Sequence, residues 1–290
     1  VGTVYLGTGV AIEAIKRKYD TFVESNLRNS TSDLTSQEPM VNYANRVIDI
    51  MGSTSMGLSG ALDQFFNAAR DLSSDPGSTV MRSSFVTDSK NLAARFGELS
   101  SQLDLVQRET DEAVNGYVKS MNTIFSQLAV VNVQMTKQKS ADAQPADLLD
   151  QRDLLLKELA GYAKINTFFA ENGSVTVSLG PTITRSVAVN GVNFVRIGTQ
   201  FNSAAPEKVS LVLDPFGKPE PLPGLSGGKL SGLLSFREQV LNSSRASLDT
   251  LAQVFVRETN AVHEGGIDAY GNAGTALFSI EKKPLGAAGT

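Results

Sequence analysis

The chain has 290 residues, 41% hydrophobic and 19% charged, with a net charge of −4. That length buries a sizeable core in about two domains, while the acidic balance and the lack of basic clusters interleaved with aromatics speak against nucleic acid and anionic membranes as partners. Zero cysteines leave the redox compartment open, a single histidine (His263) rules out the usual zinc and iron–sulfur ligand sets and suggests no cofactor, and no apolar run approaches the ~20 residues that cross a bilayer.

The N-terminus, VGTVYLGTGV, has neither the charge pattern of a secretory signal nor an initiator methionine, so the chain is expected to begin inside a longer protein. A glycine-punctuated strand is predicted from Val4 to Ile12, in which Gly7-Thr8-Gly9 lacks the spacing of a nucleotide loop and reads as a turn. Ile12, Ile15, Tyr19 and Phe22 then open a helical pattern, which weakens over the Ser/Thr/Asn-rich stretch Asn29 to Gln37. Pro39 is expected to start a fresh helix, because a proline inside one costs ~3 kcal/mol. A short amphipathic helix comes next, from Leu58 to Leu72. At Ser73-Ser74-Asp75-Pro76, Asp75 is the expected N-cap of the following helix and Pro76 its first residue.

That helix dominates the chain. Leu92, Phe96, Leu99, Leu103, Val106, Thr110, Ala113, Tyr117, Met121, Ile124, Leu128, Val131 and Met135 recur at intervals of three and four, with only Thr110 polar and no proline. The pattern predicts one long helix from about Ser78 to Lys139, with a phase slip beside Gly116 where two fours adjoin. Ser140 to Gln144 breaks it, and Pro145 opens a helix whose stripe is Leu148, Arg152, Leu155, Leu159 and Tyr162. From Ile165 to about Pro223 the turn dipeptides Asn172-Gly173 and Asn190-Gly191 separate β-branched runs, predicting one antiparallel sheet of about five strands. A second long helix is predicted from Lys229 to His263, with Leu230, Leu233, Leu234, Arg237, Val240, Leu241, Leu248, Leu251, Phe255 and Val262 on its stripe. The glycine-rich tail after Gly265-Gly266 has no core of its own. The fold class is therefore α+β: an elongated rod of long antiparallel helices with coiled-coil-like packing, plus a small antiparallel β-rich domain. Residues 1–164 form the first part of the rod, 165–228 the β-rich part, 229–265 the returning helix and 266–290 a segment leading to a further domain.

Catalytic chemistry is close to absent from this pattern. Asp268 to Asn272 lacks the alternating carboxylates of a calcium loop and reads as a tight turn. His263-Glu264 has no second histidine, and His263 suits the end of a helix. Ser235, Ser243 and Ser244 have no nucleophile-elbow setting, and the pair Asp111 and Glu112, off the stripe, reads as a solvated face. Arg152 and Arg237 stand out because each holds a stripe position where leucine would be ordinary. A charge there must be paired or it costs several kcal/mol, so each reads as a link to a neighbouring helix or to another subunit.

Several blocks together carry a resemblance. They are Ile15-Lys16-Arg17-Lys18-Tyr19-Asp20-Thr21-Phe22; Leu72-Ser73-Ser74-Asp75-Pro76 with Arg82; Asp147-Leu148-Leu149-Asp150-Gln151-Arg152-Asp153; Gly232-Leu233-Leu234-Ser235-Phe236-Arg237-Glu238; and the spaced set Asn260, His263, Gly266, Asp268, Gly271, Gly274 and Phe278. In these the chain resembles the bacterial flagellar hook-associated protein 1 family, which joins hook to filament. The resemblance implies a structural, non-enzymatic role in an assembled ring of copies, with the hook protein on one side and the third hook-associated protein on the other. It also implies an extracellular place in the flagellum, reached by type III export without a cleaved signal peptide. Members carry further terminal segments, including the one that docks the export chaperone, so this chain alone is expected to be monomeric in solution. The rival readings are a third hook-associated protein, a flagellin-like axial subunit, or an adhesin whose β-rich part binds a ligand.

Overall fold

The structure, a computed structural model, describes residues 20–52, 57–180, 186–202, 205–222, 224–268 and 270–280. Its spine is α3 (Thr79–Met135), 57 residues long, which at ~1.5 Å rise per residue is about 85 Å. The helix starts where Ser78 caps it, its hydroxyl accepting from the Met81 N–H at 3.4 Å. Asp75 is not that cap: it closes the preceding helix, α2 (Leu58–Ser74), and its carbonyl accepts from Ser78 N–H in the intervening turn. The hydroxyl wins because it sits directly before the first helical residue, within reach of the free N–H groups.

The apolar seam of α3 is buried from Leu92 to Met135, but it shifts at Gly116. Val114 and Val118 go under beside half-buried Ala113 and Tyr117, which is the phase slip in three dimensions. Beyond it a second face is covered too, by Phe125, Ala129 and Asn132, because the β-structure packs there.

α1 (Thr21–Gly52) corrects two expectations. It begins where the Asp20 carboxylate accepts from the N–H groups of Phe22 and Val23 at 3.0 and 3.2 Å. It then runs unbroken through Asn29–Gln37 and through Pro39. In the weak stretch the Thr35 and Ser36 hydroxyls donate to the Thr31 and Asp33 carbonyls, at 2.8 and 2.7 Å, so these side chains rejoin the helix instead of competing with it. Pro39 survives because tertiary packing outweighs propensity. It is buried where α5 (Gly228–Phe236) crosses, and a Cβ on Gly232 would overlap the Ser36 carbonyl. The other end of α5 wedges onto α4 (Ala146–Tyr162): Gly228, at φ +68°, leaves no room between itself and the Tyr162–Ala163 peptide.

α5 continues through one π-turn (Arg237–Leu241) into α6 (Asn242–Glu264). The extra residue in that turn rotates α6 relative to α5. The stripe expected to continue therefore loses its burial: Leu251 is 42% and Val262 79% exposed, and of α6 only Leu248 is buried.

Among the described residues the β-region comprises seven strands in two sheets, not five in one. The first has the order β1 (Asn166–Phe169), β2 (Val175–Ser178), β3 (Val187–Asn190), β4 (Asn193–Phe194). The second is β5 (Ile197–Asn202), β6 (Ala205–Leu213), β7 (Glu220–Pro221). All pairings are antiparallel. Asn172-Gly173 and Asn190-Gly191 do turn hairpins, with positive φ at Gly173 and Gly191. The β-branched run Val192 to Ile197, expected as a single strand, instead divides between the two sheets after Phe194. The expected strand Val4–Ile12, the Gly7-Thr8-Gly9 turn and most of the Ile15–Phe22 block lie outside the described residues.

The glycines separate packing from propensity. Gly116→Ala, with nothing near its position, is expected to stabilise the chain by about 0.5–1 kcal/mol. Gly232→Ala, with the same gain in propensity, is expected to destabilise it by about 1–3 kcal/mol through overpacking. Urea-unfolding midpoints of the two variants check the opposite signs.

Candidate functional site

Polar side chains fasten α1, α6, the π-turn and the sheets to α3, or fasten backbone to a helix, and they fall into three groups. The first is a belt of arginines around residues 104–111 of α3. Arg237, 3% exposed, donates to the Thr110 hydroxyl at 2.8 Å and pairs with Asp111. Arg245 of α6 binds Asp104 and the Gln107 side chain, and Arg46 of α1 forks onto Glu109, with its second bond at 2.9 Å. Thr110, the polar residue of the seam, and Asp111, expected on a solvated face, are therefore the anchor of Arg237. The periodicity placed Asp111 off the stripe correctly. It could not show that another helix lies over that flank.

Burial lifts the Asp111 carboxyl above its ordinary range, and Arg237, by charge and hydrogen bond, pulls it back only in part. The close pair and the upward shift are compatible. Asp111 keeps a quarter of its side chain in water, whereas Arg237 has almost none, so the pair serves the arginine more than the carboxylate.

The second group joins the rod to the sheets by amides. The Asn132 side chain, fully buried, accepts from Val175 N–H at 2.8 Å and donates to Val175 O at 2.8 Å and Gly191 O at 2.6 Å. Ten residues earlier, Asn122 pairs with the backbone of Ile197 in the same two-bond manner, at 2.8 and 2.9 Å. One asparagine thus holds each sheet, imitating a neighbouring strand. Gln144 links the end of α3 to the first hairpin, donating to Met135 O and Asn172 O at 2.7 and 2.8 Å. Arg152 completes this end. It donates to Gly173 O at 2.7 Å, pairs with Asp153 at 2.8 Å, and lies 4.5 Å over the Phe169 ring. Asp150 of the same block faces outward on α4, and Arg152 and Arg237 serve separate nodes.

The third group ties down the tail. Asn260 accepts from the N–H groups of Leu277 and Phe278, at 2.8 and 3.0 Å, and donates to Phe278 O at 2.8 Å. His263 Nδ1 donates to Thr275 O at 2.6 Å, which fixes the hydrogen on Nδ1 because a carbonyl only accepts. Gly274 N–H donates to Gly266 O at 2.9 Å, and a Cβ on Gly274 would strike the His263 carbonyl. Asp268 accepts from the N–H groups of Tyr270 and Asn272, both at 2.8 Å, and the Asn272 bonds hold its carboxyl below the ordinary range. The tail so directed delivers Phe278 to the rings of Phe65 and Phe255, at centroid distances of 5.9 and 5.4 Å. Elsewhere, Arg82 Nε donates to Pro76 O at 2.8 Å, while Glu238 stands exposed on the π-turn.

The asparagines at 122 and 132 are not singled out by periodicity or motif. Asn132, amid Val130, Val131 and Val133, carries a signal in being polar within an apolar run; Asn122 carries none. Among the described residues, no cluster of three His, Cys, Asp or Glu is gathered to hold a metal, and no helix is long and apolar enough to cross a membrane.

The family model of the flagellar hook-associated protein FlgK helical domain matches residues 44–278. Flagellar hook-associated protein 1 of Salmonella typhimurium is 29% identical over 95% of this chain and 50% of its own length. The protein of that name in Escherichia coli is 26% identical over 96% and 51%. The chain thus spans about half the length of these curated relatives. A solved structure, the flagellar hook junction protein FlgK from Burkholderia pseudomallei, shares the fold with a TM-score of 0.79 at 24% identity, over 87% of this chain and 46% of that one.

Two nodes give tests. Asp111→Ala strands a buried cation and is expected to cost about 3–5 kcal/mol, more than Arg237→Met, which leaves a carboxylate that water reaches. Because the folded pKa of Asp111 is raised, its contribution is full below the unfolded value and is lost as pH rises through the folded one. The stability advantage over Asp111→Asn should therefore shrink from acid towards neutral pH in urea titrations. Asn260→Ala is expected to speed amide hydrogen exchange at Leu277 and Phe278 about tenfold or more while leaving the α3 core amides protected.

Proposed function

The chain belongs to the family of the flagellar hook-associated protein FlgK helical domain, and on that premise we propose that it is a structural section of the junction between flagellar hook and filament, without catalysis. The observation that carries this reading is the use of its buried polar groups. The arginines and asparagines that sequence or structure singles out are engaged in holding helix to helix, or helix to sheet. A protein that transmits force between two tubes needs that stiffness, and the ~85 Å spine supplies it along one direction.

In this reading the partners are the hook protein, the third hook-associated protein and copies of the same chain in a ring. An export chaperone engages a segment of the protein outside the described fold. The site of action is the extracellular flagellum, reached by type III export without a cleaved signal peptide. The chain taken alone is a monomer. Residues 165–228 form a unit projecting from the rod, and 266–290 lead towards a further domain.

The test is complementation of a strain lacking hook-associated protein 1 with the full-length gene product that contains this chain. Restored filaments and swimming are the expected result. Secretion of the protein without filament attachment would overturn the junction reading and favour another axial position.

A further inference from the structure

Beside α3, on the flank away from α4, lies an open groove of about 710 Å³ between the helix and the second sheet. Among the described residues, two cations line it, Lys119 and Arg196, and no carboxylate does. Both are exposed, and neither forms an ion pair with any described residue. At its rim stands Phe216, 84% exposed yet held in place. The turn that carries it is closed by the Asp214 carboxylate, which accepts from the N–H groups of Gly217 and Lys218 at 3.2 and 3.0 Å. Pro215 packs directly on Gly198 of β5, where a Cβ would come within 2.8 Å of the proline ring. A rigidly presented aromatic beside two exposed cations is the makeup of a binding anchor, and on a chain of net charge −4 it is a local exception.

The complementary surface is on the same molecule. α4 turns outward a face on which Asp147, Asp150, Leu154 and Glu158 fall at intervals of three, four and four. Leu154, at its centre, is 66% exposed. Lys157 stands at the edge and leaves the face net acidic. So one surface offers an aromatic with two cations, and the other a leucine with three carboxylates.

Their placement decides the geometry. Tyr117 of α3 meets Tyr162 of α4 with ring centroids 5.7 Å apart. At 3.6 residues per turn, Lys119, Asn122 and Ser126 of the groove lie roughly 140–200° round α3 from Tyr117. On α4, Glu158, Asp147, Leu154 and Asp150 fall roughly 40–120° round from Tyr162, so the acidic face and the groove lie on different flanks. They also sit at one height: Leu154 is eight residues back along α4 from Tyr162, about 12 Å at 1.5 Å per residue, which brings it level with the groove's stretch of α3.

We propose that the Lys119–Arg196–Phe216 groove of one copy receives the Asp147–Asp150–Leu154–Glu158 face of α4 of a neighbouring copy, a lateral head-to-tail contact between protomers at equal height. Two different patches make the contact heterologous, and such contacts close into rings when the rotation permits. The inference deepens the junction reading and rests on it, by naming the surfaces through which copies meet.

Because the chain has no cysteine, the contact is tested by cross-linking in assembled flagella. The full-length protein carrying both Phe216→Cys and Leu154→Cys is treated with a bifunctional maleimide on intact cells. A ladder of multimers, absent from either single variant, is the expected result; incorporation without a ladder, or cross-links only to a different protein, overturns it. Folding is not at stake at two exposed positions. As an independent measurement, Lys119→Glu with Arg196→Glu should cut filament-bearing hooks about tenfold or more, since like charges then face each other. Adding Asp147→Lys and Glu158→Lys should restore them, and no rescue by the reversed pair counts against the contact. If immunogold labelling finds the unmutated protein nowhere near the junction, the functional reading itself fails, which these variants distinguish from failure of the contact alone.

Discussion

A helix of 57 residues cannot keep water from its own apolar seam, and no single partner helix among the described residues is long enough to do so. The seam is therefore covered in sections. α2, α6 and the returning tail enclose the first part of α3 around Phe65, Phe255 and Phe278. α1 and α5 cover the middle, while α4 and the sheets cover the end. Each cover comes from a different stretch of sequence, so the relative placement of those stretches has to be fixed by something more directional than hydrophobic contact. Apolar packing alone tolerates sliding along a stripe that repeats every turn.

The polar groups provide that direction. Asn122 and Asn132 meet a backbone amide and carbonyl together, as a strand edge would, so a slip of one residue would leave both amides and their buried partners unsatisfied. An unmade buried hydrogen bond costs about 1–3 kcal/mol for each group, which is large against the shallow preference of a leucine for one groove over the next. The arginine belt acts in the same way between helices. Arg237, almost without access to water, is acceptable only where Thr110 and Asp111 stand. Polar bracing of this kind adds less to total stability than an apolar core of the same volume; what it adds is register.

This division explains which parts are legible in the sequence. The length of α3, its seam and its phase slip are readable because they repeat, and repetition is what one-dimensional patterns preserve. Arg152 and Arg237 are noticeable as charges at leucine positions. Pro39 misleads because propensity is local, whereas its tolerance comes from Gly232, nearly two hundred residues away in sequence. Asp111 misleads for the same reason, since the covering arginine opens a π-turn that no periodicity announces. The division of the strands into two sheets depends on where Asn122 grips Ile197. An asparagine on a long polar-flanked helix looks like any other until its partner is placed.

The tail shows how local rules and distant packing meet. Gly266, Asp268, Gly271 and Gly274 shape a turn that would be stable on local grounds, with Asp268 taking the backbone N–H groups and Gly271 at positive φ. Its purpose becomes visible only with Asn260 and His263, which hold the outgoing strand of that turn at Leu277, Phe278 and Thr275. Phe278 is then set among rings from α2 and α6. The chain thereby leaves the helical region in a fixed direction rather than as a loose linker. The direction of that exit is set by Asn260 and His263 on α6 and by the rings that receive Phe278, so side chains distant in sequence decide what the local turn alone leaves open.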